Sequence, residues 1–86
     1  MIGPFTLVIP TDARFRTIGA DVAGRFAEIA GGRAAAVAAE VSRAVETIAA
    51  RPDAAPEVHL TFRAEANRVD VDLRCGARTA SISCPL

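Results

Sequence analysis

Between residues 58 and 84 apolar side chains alternate with polar ones in three short runs, and nothing else in the chain narrows its fold as much. Val58, Leu60 and Phe62 alternate with His59, Thr61 and Arg63; Val69, Val71 and Leu73 alternate with Asp70, Asp72 and Arg74; Ala80, Ile82 and Cys84 enclose Ser81 and Ser83. Successive strand side chains point to opposite faces, so a period of two predicts strands with one dry face. If residues 64–67 form the first turn, Phe62 faces Val69, Leu60 faces Val71 and Val58 faces Leu73. A tight turn at Gly76 and Ala77 then sets Leu73 against Ala80, Val71 against Ile82 and Val69 against Cys84. A slip of one residue would send every apolar member to the wet face. The pattern therefore predicts a three-stranded meander.

A dry sheet face must be covered. Residues 37–50 (VAAEVSRAVETIAA) carry a helical stripe of Val37, Val41, Ala44, Val45 and Ile48, in a helix expected to run from Arg33 or Ala34 to Arg51. Glu40, Arg43 and Thr47 follow one border of that stripe at steps of three and four. A first helix is expected ahead of it, with Thr11 or Asp12 as cap and Phe15, Ile18, Val22, Phe26 and Ile29 as its apolar stripe, both phenylalanines in the core. Gly31 and Gly32 end it, since glycine tolerates the left-handed conformation of a helix stop. The short connection makes the helices antiparallel neighbours. Upstream, residues 5–9 (FTLVI) read as a strand with Phe5, Leu7 and Ile9 on one face and Val8 on the other; its place in the sheet is open. Residues 51–56 form the linker into the meander. The expected fold is a single α+β domain over residues 1–86: a two-layer sandwich of order β-α-α-β-β-β. Its four-stranded, mainly antiparallel sheet carries two antiparallel helices on one face.

Composition bounds the function. Ten basic residues, all arginine, balance ten acids, so no general attraction to nucleic acid or an anionic membrane is expected. No apolar run approaches the ~20 residues of a membrane span. Residues 1–4 lack the charged start and apolar stretch of a signal peptide. A cytoplasmic protein is the expectation. Cys75 and Cys84 do not have the number or spacing of a zinc site, and they fall on the inner face without lying opposite each other, which predicts two thiols. His59 falls on the outer face with no Cys or Ser beside it. Asp70 and Asp72 share that face opposite Ser83 and Ser81, an ordinary hydrophilic strand pattern. Arg63, Arg68, Arg74 and Arg78 could gather at one end of the sheet and, with Arg43, meet an anion. The outer face carries no aromatic residue on which an RNA base would stack.

With this order of elements, three segments resemble the anti-sigma-factor kinase family, part of the group with the histidine-kinase-type ATPase fold. PFTLVIPTDARFRTIGADVAGRFAEIAG resembles the family's opening strand, polar break and first helix. AAEVSRAVETIAA is similar to the helix written E-L-A-V-S-E-A-x-x-N-A, and EVHLTFRAEANRVDVDLRCGAR to the strand pair leading into an acidic-x-glycine nucleotide motif. The resemblance implies a Glu that polarises the attacking water and an Asn that coordinates magnesium, one helical turn apart. Those positions are Arg43 and Thr47 here. Arg is neither a base nor a metal ligand. The resemblance also implies an Asp that reads adenine, and Arg74 stands there in RCG, with Gly76 retained; an acceptor has become a donor. After Gly76 the chain turns straight into a strand, leaving no length for a phosphate lid.

The resulting expectation is a shortened relative that has lost its ATP site: a non-catalytic interaction or regulatory module with no cofactor, no metal and no catalytic residue. The resemblance implies dimerisation and a protein partner, a sigma factor or an antagonist-type regulator; for so small a domain, a homodimer that covers the open sheet face or an edge strand would also add core. The alternative is a domain that senses an anion or nucleotide without hydrolysis, using Arg43, Thr47 and Arg74.

Overall fold

A computed structural model describes residues 2–51, 53–65 and 67–85, with side chains from residue 4 onward. Pro52 of the expected linker and Ala66 of the expected turn lie outside these residues. Strand β1 (Ile2–Pro10) is followed by a short 3-10 turn (Ala13–Phe15), helix α1 (Arg16–Ala30) and helix α2 (Ala34–Ala49). Strands β2 (Glu57–Glu65), β3 (Arg68–Cys75) and β4 (Arg78–Pro85) complete the order β-α-α-β-β-β. The strands form one antiparallel sheet in the order β1-β2-β3-β4, with the helices packed on one face. This is the expected α+β sandwich. No helix among the described residues is long and apolar enough to cross a membrane.

The place of β1, which sequence left open, is the edge beside β2, with Phe5 opposite Phe62, Leu7 opposite Leu60 and Ile9 opposite Val58. The β3–β4 register is the expected one. The β2–β3 register is displaced by two residues: Phe62 faces Val71, Leu60 faces Leu73, and Ala64 faces Val69. Ala64 is itself inward and buried, so the hairpin closes around two residues instead of four and gains an apolar pair. A two-residue displacement preserves the faces, which is why the dry side is unchanged.

Helix α2 buries Val37, Val41, Val45, Ile48 and Ala49 as its periodicity predicts, with Ala44 half-buried. Helix α1 is rotated from the expected stripe. It buries Gly19, Ala23, Phe26 and Ala27, leaving Phe15 and Ile18 at 37% and Ile29 at 73% exposure. The cause is close approach. At Gly19 an added Cβ would lie 3.3 Å from Leu60, tighter than ordinary contact. Gly19, Ala23 and Ala27 bring α1 down onto the core, a position larger side chains could not occupy. Phe15 is thus not a core residue; it lies outside, under the Arg14 guanidinium, 5.5 Å from its ring centre. Asp12 caps the 3-10 turn by accepting the Arg14 N–H at 2.9 Å. Gly31, at φ 86°, closes α1: its N–H reaches the Glu28 carbonyl at 3.1 Å and that of Gly32 reaches Ala27 at 2.7 Å.

Candidate functional site

The border of α2 that carries Glu40, Arg43 and Thr47 overhangs β4. The two elements enclose an open seam in two stretches, both of which include Glu40, Ser81 and Ile82. One, of about 520 Å³, runs toward Arg33, Ala36 and Pro85. The other, of about 250 Å³, runs toward Arg43, Thr47 and Ala80. The floor is apolar because Ala80, Ile82 and Cys84 point inward, and none of them is fully covered by α2.

Arg43 and Thr47 line this seam, yet both side chains are committed within the helix. The Arg43 guanidinium donates to Glu40 Oε1 at 2.9 Å, and the Thr47 hydroxyl donates to the Arg43 carbonyl oxygen at 2.9 Å. Arg74 is elsewhere. Leu73 points into the core, so the next residue on β3 projects from the opposite face, where Arg74 pairs across the ladder with His59 and Thr79. The sheet itself separates Arg74 from Arg43 and Thr47, and the three do not form one pocket. Arg74 instead borders a shallow outer groove of about 460 Å³ with Thr6, His59, Thr61 and Thr79.

The other arginines of the expected cluster are each occupied. Arg63 donates to Asp72 Oδ2 at 2.7 Å, Arg68 to Asp70 Oδ2 at 3.0 Å, and Arg78 meets Asp53 at 3.1 Å. The serines stand opposite the aspartates as the register required: Ser83 donates to Asp70 at 2.8 Å and Ser81 to Asp72 at 3.0 Å. The Ser83 hydroxyl and then the Arg68 guanidinium hold the Asp70 carboxyl below its ordinary value. This lattice of saturated pairs makes the outer face a solvated surface, and its carboxylates are donor-filled rather than open to a cation. Among the described residues no group of three or more His, Cys, Asp or Glu side chains gathers as metal ligands would.

Both cysteines are free thiols. Cys75 is buried, its sulfur 3.7 Å from the Ala55 carbonyl, and Cys84 is half-buried at the seam. Burial, followed by the nearby Glu40 charge, raises the Cys84 thiol above its ordinary value, so it is not an activated nucleophile.

Sequence reasoning missed the exposed apolar surface beside β1. Ile18, Val22 and Ile29 share the side of α1 turned away from α2, next to Phe26, whose ring meets Phe5 at 5.2 Å. Phe5, on the free β1 edge, remains 42% exposed although it also stacks on Phe62 at 5.0 Å. The available signal was the second stripe of small residues on α1: Gly19, Ala23, Ala27 and Ala30 recur at helical spacing beside the large one. Compared with known protein families, with curated proteins and with solved structures, the chain matches none.

Proposed function

We propose that this chain is a non-catalytic protein-interaction module, of the regulatory kind that its resemblance to anti-sigma-factor kinases implies. The observation that carries the reading is the exposure of Ile18 and Ile29 on α1 and of Phe5 on the β1 edge, with Val22 half-buried on the same side of α1. Exposed apolar patches rimmed by polar residues are a mark of interaction surfaces, protein contacts among them. Asp21, Arg25 and Glu28 supply that rim on α1. The partner class implied by the resemblance is a sigma factor or an antagonist-type regulator. The alternative anion-sensing reading loses support, because its three residues do not share one pocket and two of them are engaged within α2.

Affinity capture from the source cell tests the reading, with the wild-type chain compared against Ile29→Glu and Ile18→Glu. The expected result is a protein retained by the wild type and lost by both variants, whose folds are unchanged by circular dichroism. A wild-type chain that retains nothing more than the variants do would remove the support for this surface.

A further inference from the structure

We propose that β4 pairs antiparallel with the β4 strand of a second copy, about a two-fold axis at Ile82, joining two sheets into one. The proposal is independent of the α1 surface. The two edges of the sheet are unequal. On β1, Pro4, Pro10 and a register irregularity between Ile2 and Phe5 interrupt the edge, as natural sheets do to prevent further pairing. On β4 the one proline, Pro85, is the last strand residue, the register with β3 is uninterrupted, and residues 79–84 (TASISC) carry no charge. Nothing among the described residues covers their outer edge.

The backbone is set for pairing. Cys75 and Arg78 flank the two-residue turn and close it as a hydrogen-bonded pair, so Ala80, Ile82 and Cys84 direct their backbone groups toward β3. The N–H and C=O groups of Thr79, Ser81 and Ser83 therefore point to the free edge.

Self-pairing is favoured over a foreign strand because β4 complements itself. An axis at Ile82 sets Ile82 against its own copy and Ala80 against Cys84 of the partner subunit, all on the inner face. On the outer face it sets Ser81 against Ser83 of the partner subunit. No charge opposes a like charge along the strand. An axis one residue earlier would instead put Arg78 against the thiol.

The helices agree with this placement. α2 packs beside β4, sharing the seam over Ala80, Ile82 and Cys84, so joining two sheets at β4 places both α2 flanks on the same side of the new seam. The facing flank offers small Ala36 and Ala39, then Glu40 and Arg43, which sit over Ile82. A stable dimer buries roughly 800 Å² on each protomer, about a sixth of the 4958 Å² surface here. The strand and helix flank together form one continuous surface for that burial.

Sedimentation equilibrium tests the pairing, and the wild type is expected at twice 8.9 kDa. Ser83→Pro, which deletes one outward N–H, is expected to be a folded monomer. Ser81→Arg/Ser83→Arg is a second route, placing like charges opposite one another across the axis while each keeps its aspartate neighbour in the same protomer. Ala80→Cys reads the register: mild oxidation is expected to link it to Cys84 of the partner subunit, giving a covalent dimer that the wild type does not form. A monomeric wild type would overturn the proposal, whatever else the seam then binds. So would a dimer that survives both edge variants, or one that forms without the Ala80→Cys link.

Discussion

Phe62 shows how much of this small domain rests on single side chains. It is fully buried, with Phe5 stacked at 5.0 Å and Phe26 tilted against it at 5.6 Å. Phe62→Ala is expected to cost roughly 3–5 kcal/mol. Against a total of about 5–15 kcal/mol for a typical domain, the variant should be close to unfolding in a urea titration. The glycines separate two effects of one substitution. Gly31 sits at φ 86° with nothing within 4 Å of an added Cβ, so Gly31→Ala meets only backbone strain. A loss of about 1 kcal/mol is expected, read as a fall in Tm of roughly 4–8 °C for a chain this size. Gly24 has ordinary helical geometry and an added Cβ would make only van der Waals contact with Ala38. Gly24→Ala is expected to raise Tm, by up to about 1 kcal/mol of helix propensity.

The elements divide labour between faces. On α1, Gly19, Ala23 and Ala27 seat the helix beside Phe26 while Ile18 and Ile29 stay exposed, so the proposed contact surface can be altered with little effect on the core. Ile29→Glu should change stability by no more than about 0.5 kcal/mol while abolishing partner capture. On β3 and β4 the outer face is held by hydroxyl–carboxylate pairs, and Asp70 links their strength to pH. Its folded pKa lies below the ordinary 3.8 because the Ser83 hydroxyl and the Arg68 guanidinium favour the charged form. Its contribution is therefore present in full above that ordinary value and lost as pH falls through the folded one. Thermal melts of wild type and Asp70→Asn should differ most from neutral pH down to about pH 5, then converge in stronger acid. A gap that widened on acidification would contradict this assignment.

The whole molecule is a sheet with one helical face, one solvated face and two dissimilar edges. Its thickness keeps Arg43 and Thr47, on the helical side, apart from Arg74 on the other. Titration with ATP, ADP or phosphate is accordingly expected to leave Tm unchanged, since a ligand that bound the native state would raise it. A rise that disappeared in Arg43→Ala would show that the altered helix flank takes an anion after all.

Much of this was legible in the sequence. Alternation fixes which strand faces are dry, because pleating leaves no other way to keep Val69, Val71 and Leu73 together. The 3.6-residue stripe fixes the buried side of α2, and Gly31 with Gly32 fixes the end of α1, for equally local reasons. The β2–β3 partners were not legible: registers two residues apart bury the same face, and the choice fell to whether Ala64 joined the ladder. Nor was the rotation of α1, since large and small stripes lie side by side and only the helix–sheet distance selects between them. Spacing placed Arg43 and Thr47 on one helix flank and alternation placed Arg74 on the wet face, but which strand that flank overhangs was not legible. That depends on where the helix lies across the sheet, a long-range packing outcome that no local period encodes.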